Sequence, residues 1–110
     1  MIKQIYVSQD LVSRQWAQPF VGDNDEQAAR DMRCAMAAQI VQGNFLVRDA
    51  VVLAVACVDQ TEDAYKIIPY DVPRRVCAGT DVEVTEIAER LRALAPVIPT
   101  ADEDEVTVDA

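Results

Sequence analysis

Residues 50–58, AVVLAVACV, are nine consecutive apolar residues followed by Asp59. The run is too short for an amphipathic helix, rich in valine, and lacks the alternation of a strand with one wet face. Such a segment reads as a central strand. A strand of that kind cannot stand alone, so its neighbours in the chain must supply pairing partners. After the polar tip DQTED comes AYKIIPYD, and residues 51–59 and 64–70 are expected to form an antiparallel hairpin with a loop of four or five residues. Pro69 has no N–H to give to a ladder, so the second strand is an edge strand or ends there. The following DVPRRVCAGTD, interrupted by Pro73 and Gly79, reads as a connector or short strand.

The N-terminal IKQIYVS is rich in β-branched and aromatic residues and predicts a strand over 2–8, ending by Asp10. A second extended stretch is expected over 11–18, because Pro19 pushes Gln18 away from helical geometry. In QPFVGDNDEQAARDM the pattern changes. Asn24 or Asp23 can cap a helix, Glu26 or Gln27 stands three positions on, and Asp25 and Glu26 suit the positive end of the helix dipole. Ala29, Met32, Met36 and Ile40 then form an apolar stripe, with Arg30, Cys34, Ala37 and Val41 away from it. Gly43 is the natural stop, so the helix is expected over 24–42.

A second helix is expected over 80–95, capped by Thr80 with Glu83 three residues on. Its stripe is Val84, Ile87, Ala88, Leu91, Leu94 and Ala95, with Glu86 and Arg90 in the favourable i,i+4 order and Pro96 as the stop. The fold class is therefore α+β. A small antiparallel sheet of three or four strands carries one packed helix, a second C-terminal helix and an acidic tail. Residues 1–97 form one domain and 98–110 a solvated tail, in which Val106 and Val108 alternate with polar residues. The large stripe of the second helix points to a homodimer.

The chain has 110 residues, three cysteines and no histidine. Zinc frameworks and Ser-His or Cys-His nucleophile pairs are thereby disfavoured or excluded. The cysteines are expected to be reduced and mostly buried. With three glycines there is no phosphate-binding glycine loop. Asp23, Asp25, Glu26 and Asp31 lack calcium-loop spacing and read as helix-capping acids. No enzyme, metal or cofactor is expected. No apolar run approaches a membrane span and the N-terminus lacks a secretory pattern, so an internal location without membrane contact is expected.

Net charge is −9. Residues 1–80 hold eight Lys and Arg against ten Asp and Glu, and residues 81–110 hold two against nine, so the acidity sits in the C-terminal part. The body leaves room for a nucleic-acid surface. Lys3, Arg14, Trp16, Tyr65, Lys66, Arg74 and Arg75 are the candidate contacts, since single strands are held by cations for phosphate and aromatic faces for bases. Clustering of these cations on one face favours DNA. Scattering among acids favours a protein-interaction or assembly adaptor without nucleic-acid contact, and the tail can compete with phosphate or recruit a partner.

The order of IYVSQD, QPFVGDNDEQAARDM, RDAVVLAVACVD and AYKIIPYDVPRRVCAGTDV, over about residues 1–82, resembles the nonstructural protein of the fifth open reading frame of gokushoviruses, microvirus phages with single-stranded DNA. The resemblance implies a small, non-enzymatic phage protein in the cytoplasm of the infected bacterial host, acting in genome replication or single-stranded DNA handling, with a replication or assembly protein as a further partner. Pro19, Phe20 and Arg30 match family positions, the first two as packing residues and Arg30 as a candidate phosphate or partner contact.

Overall fold

The computed structural model describes residues 2–94. Strand β1 (Ile2–Asp10) and short β2 (Phe20–Gly22) lead into α1 (Asp25–Val41), a 3-10 turn (Phe45–Asp49), β3 (Ala50–Gln60), β4 (Tyr65–Ala78) and α2 (Val82–Leu94). The architecture is α+β, as expected, with four antiparallel strands in the order β2-β1-β3-β4. β3 is indeed central, and its alternate residues Val52, Ala54, Ala56 and Val58 are buried. Tyr6, Val52, Ala54 and Cys77 from the sheet pack with Ala28, Ala29, Met36, Ala37 and Ile40 of α1 and with Val84 and Ala88 of α2.

Both ends of α1 are set by local chemistry. Asn24 is extended, and its side chain accepts the Gln27 N–H at 2.8 Å. The Gln27 amide turns to Asp31 at 3.0 Å, so the reciprocal half of a capping box is not made. At the other end Gly43 takes φ +96°, donating to the Ile40 carbonyl while Asn44 donates to that of Gln39, both at 2.9 Å. That pair of bonds is the Schellman closure, which needs a left-handed residue after the cap. Ala37 and Val41, placed off the stripe by periodicity, belong to the core. α1 lies between the sheet and α2, so its buried face is broader than one stripe.

Four expectations need correction. Residues 11–18 are not a strand. Asp10 accepts the backbone N–H groups of Val12 and Ser13 at 2.8 and 3.2 Å, an Asx turn that ends β1, and only a single bridge joins Trp16 to Gln9. The segment after Tyr70 is not a separate piece, because β4 continues to Ala78. On the edge of the sheet Pro73 forfeits no ladder that holds it, and residues 70–73 bulge opposite Val55 where the register jumps from Ala56–Pro69 to Ala54–Arg74. Helix α2 begins at Val82, behind Asp81 and not Thr80. Among the cysteines, all free, only Cys77 is buried; Cys57 is half-buried and Cys34 lies exposed on α1.

Gly79 follows directly on the end of β4, as expected of an interruption, and it also permits a close approach. A Cβ there would stand 1.9 Å from the Val47 carbonyl oxygen of the 3-10 turn. Along α2, Val84 and Ala88 are buried and Ile87 and Leu91 half-buried, whereas Leu94 stays 62% exposed. Arg90 reaches the Glu86 main-chain oxygen at 3.5 Å and not its carboxylate. Ala95, Pro96 and the tail fall outside the described residues.

Candidate functional site

The densest polar cluster joins three elements at the point where α1 starts. Tyr6 of β1 is fully buried, stacks on Phe20 with ring centroids 5.3 Å apart, and donates its hydroxyl to Asp25 Oδ1 at 2.9 Å. Arg74 of β4 closes on the same carboxylate with Nε 2.7 Å from Oδ2 and Nη2 3.1 Å from Oδ1. This is a two-pronged guanidinium–carboxylate pair, the geometry in which arginine binds carboxylates best. Arg74 Nη2 also donates to Gln4 Oε1 at 3.3 Å, the Tyr70 hydroxyl donates to the same oxygen, and the guanidinium lies 5.2 Å from the Tyr70 ring centroid.

Charge states follow from these contacts. The hydrogen bond from Arg74 holds the Asp25 carboxyl below its ordinary value, against burial and with help from Tyr6. Burial, reinforced by the negative Asp25, pushes the Tyr6 phenol up, and the Asp25 bond pushes the Arg74 guanidinium up.

A second cluster fixes the turn from β4 into α2. Asp81 accepts the Ala78 N–H at 3.0 Å, Arg75 Nη2 at 2.6 Å and Arg33 Nη2 at 3.1 Å. Burial raises its carboxyl, but the Ala78 N–H and the two guanidinium groups outweigh that and hold it below the ordinary range. The Cys77 thiol beside this turn is pushed up by burial.

The candidate nucleic-acid residues do not converge. Lys3 pairs with Asp23 at 3.2 Å, Arg74 with Asp25 and Arg75 with Asp81. Lys66 stands opposite Asp59, which in turn stands opposite Ile2, with exposed Tyr65 one row further at the hairpin tip. Arg14, in a left-handed turn at φ +64°, and exposed Trp16 sit beside Gln9 at the other end of β1. Seven strand steps, about 23 Å, separate the Ile2 row from Gln9. Of the three positions singled out by the resemblance, Phe20 packs on the core, whereas Pro19 and Arg30 are exposed.

Sequence reasoning missed Gln4, Tyr6, Arg33, Tyr70 and Asp81 as members of polar clusters and read Asp25 only as a capping acid. The partners of Asp25 lie 19 and 49 residues away, and no local pattern announces them. Among the described residues no three His, Cys, Asp or Glu side chains are grouped to hold a metal ion, and no helix is long and apolar enough to cross a membrane. Comparison with protein-family models, curated proteins and solved structures gave no match.

Proposed function

We propose that this chain is a non-enzymatic accessory protein that works through protein contacts, as a self-associating adaptor, in the genome replication of a single-stranded DNA phage. The observation that carries the adaptor reading is the internal neutralisation of the cations. Three of the candidate contacts are each bound to an aspartate, and the rest are divided between opposite ends of the sheet. A phosphate backbone needs a continuous positive track.

The strand registers also place apolar side chains on the side of the sheet away from α1. Gln4 belongs to the α1 side, because it shares Arg74 with Asp25. The alternate rows, Val21–Ile5–Ala56–Pro69 and Lys3–Val58–Ile67, therefore face the other way, the skipped Val55 having switched the side of β3; Ala56 and Val58 in the middle are buried, and Val21 and Ile67 at the ends are more than half exposed. The phage setting rests on the family resemblance alone.

Mass-resolved size exclusion with and without a single-stranded oligonucleotide tests the reading. The expected result is a mass above the 12.2 kDa of one chain that the oligonucleotide leaves unchanged. A single-chain mass, or co-elution with the oligonucleotide, overturns it. Co-elution is the outcome of the second reading, direct DNA contact through exposed Tyr65 and Lys66 at the hairpin tip and through exposed Trp16.

A further inference from the structure

Burial and strand register agree on a second apolar layer. Four buried apolar residues, Val7, Ala56, Val58 and Ala78, do not belong to the core that the sheet forms with the helices. Because β1 turns Gln4 and Tyr6 toward α1, Val7 faces the other way together with Lys3, Ile5 and Gln9. The pairings Ile5–Ala56, Lys3–Val58 and Gln9–Val51–Ala78 bring the other three to that same side.

Two exposed aromatic residues stand at opposite corners of this layer. Trp16 is bridged to Gln9, between the Ala17-to-Ser8 and Asp10-to-Gln15 main-chain bonds at 2.9 Å, and so shares the side of Gln9. Tyr65 pairs with Gln60, two residues beyond Val58, and falls on the same side. They are 54% and 62% exposed, and Val21 and Ile67 continue the two margins.

Charge and area together select the occupant. The charged side chains along these rows are Lys3 and Arg75, each tied to an aspartate, so the face offers no cation to a phosphate backbone. The chain carries a net −9, and two like-charged molecules can meet only where their surfaces are free of that charge. Four strands and seven residue steps give the face about 19 by 23 Å, roughly 440 Å². Two such faces bring together about 900 Å² before the relief of the side chains is counted, close to the ~1,000 Å² of a specific interface.

We propose that a second copy of this chain packs on this face, sheet against sheet across a two-fold axis, with Trp16 and Tyr65 buried as its anchors. The inference rests on the self-association proposed above and assigns it to one surface, from which a nucleic acid is thereby excluded.

Trp16 is the single tryptophan of the chain, so its emission reports on this face. Dilution of the unaltered chain until its mass falls to 12.2 kDa is expected to move that emission to longer wavelength and to raise its quenching by iodide in step. The double substitution V21E/I67E, at two exposed positions, is expected to give the single-chain mass with an unchanged far-ultraviolet circular dichroism spectrum. Leu94→Glu, on α2, is expected to keep the mass of the unaltered chain. Emission that stays constant while the mass falls, or a higher mass that survives V21E/I67E, overturns the assignment of the face and leaves self-association standing. Loss of the higher mass in Leu94→Glu overturns the assignment as well, since it moves the contact to α2. A single-chain mass at every concentration overturns both readings.

Discussion

Removing the Tyr6 hydroxyl isolates one bond of the cluster at the start of α1. Tyr6→Phe keeps the ring, its stacking on Phe20 and its place in the core, and deletes only the O–H donated to Asp25. A hydrogen bond to a charged group contributes about 1.5–3 kcal/mol. Asp25 is 37% exposed at its side chain and keeps Arg74, so water and the guanidinium recover part of the loss. The expected cost is therefore about 1–2 kcal/mol, a fall in Tm of roughly 5–12 °C for a domain of this size. Thermal and urea unfolding followed by circular dichroism measure it, with the urea slope unchanged if the folded state keeps its compactness.

The sharper measurement is a double-mutant cycle with Asp25→Ala, which removes the acceptor of the Tyr6 hydroxyl. Because the two groups touch, the double variant should be less destabilised than the sum of the singles by about 1 kcal/mol. A Tyr6→Phe protein within about 0.5 kcal/mol of the unaltered chain, the range of ordinary surface changes, refutes the reasoning. Strict additivity with Asp25→Ala refutes it as well.

Gly79→Ala is expected to destabilise strongly. The new methyl would meet the main chain at Val47 and Arg48, which cannot rotate aside, and the cost should be at least the 1–3 kcal/mol of ordinary overpacking, read by urea unfolding. Asp25 and Asp81 are both held below their ordinary value of 3.8, so the stability they contribute is fully present above that pH and is lost as pH falls through their lowered folded values. Tyr6 acts in the opposite direction. Its phenol is raised above 10.0, so its contribution is intact below that pH and is lost as pH rises beyond it, a loss that Tyr6→Phe should abolish in an alkaline unfolding series.

What the sequence made legible follows the range of the interaction involved. The ends of α1 depend on Asn24 and Gly43 acting on residues within five positions, and both were readable. The central place of β3 was readable too, since an unbroken apolar run admits few other positions. The turn after β1 is not legible in the same way, because Pro19 restricts only Gln18, whereas the chain is reversed by the Asp10 carboxylate taking two backbone donors. Pro73 and Gly79 carry the usual signature of interruption, yet one sits on a bulged edge and the other beneath the 3-10 turn, and both reasons appear only once the sheet is assembled. The same holds for the polar clusters. Arg74 and Arg75 look like spare surface cations until the fold brings Asp25 and Asp81 to them.

The contact of Tyr6, Asp25 and Arg74 draws on the first strand, the first helix and the last strand. Neighbouring segments of this chain carry their own local closures, since the β3–β4 hairpin closes through a tip of four residues and α1 is capped from within its own sequence. None of those local pieces contains the three groups together. Their contact therefore depends on the assembled fold, and it joins the portion of the chain before residue 42 to the portion after residue 50. It is one of several such joins, beside the β1–β3 ladder and the shared core, so weakening it should speed amide exchange first at the start of α1 and in the Arg74 stretch of β4 and leave β3 protected.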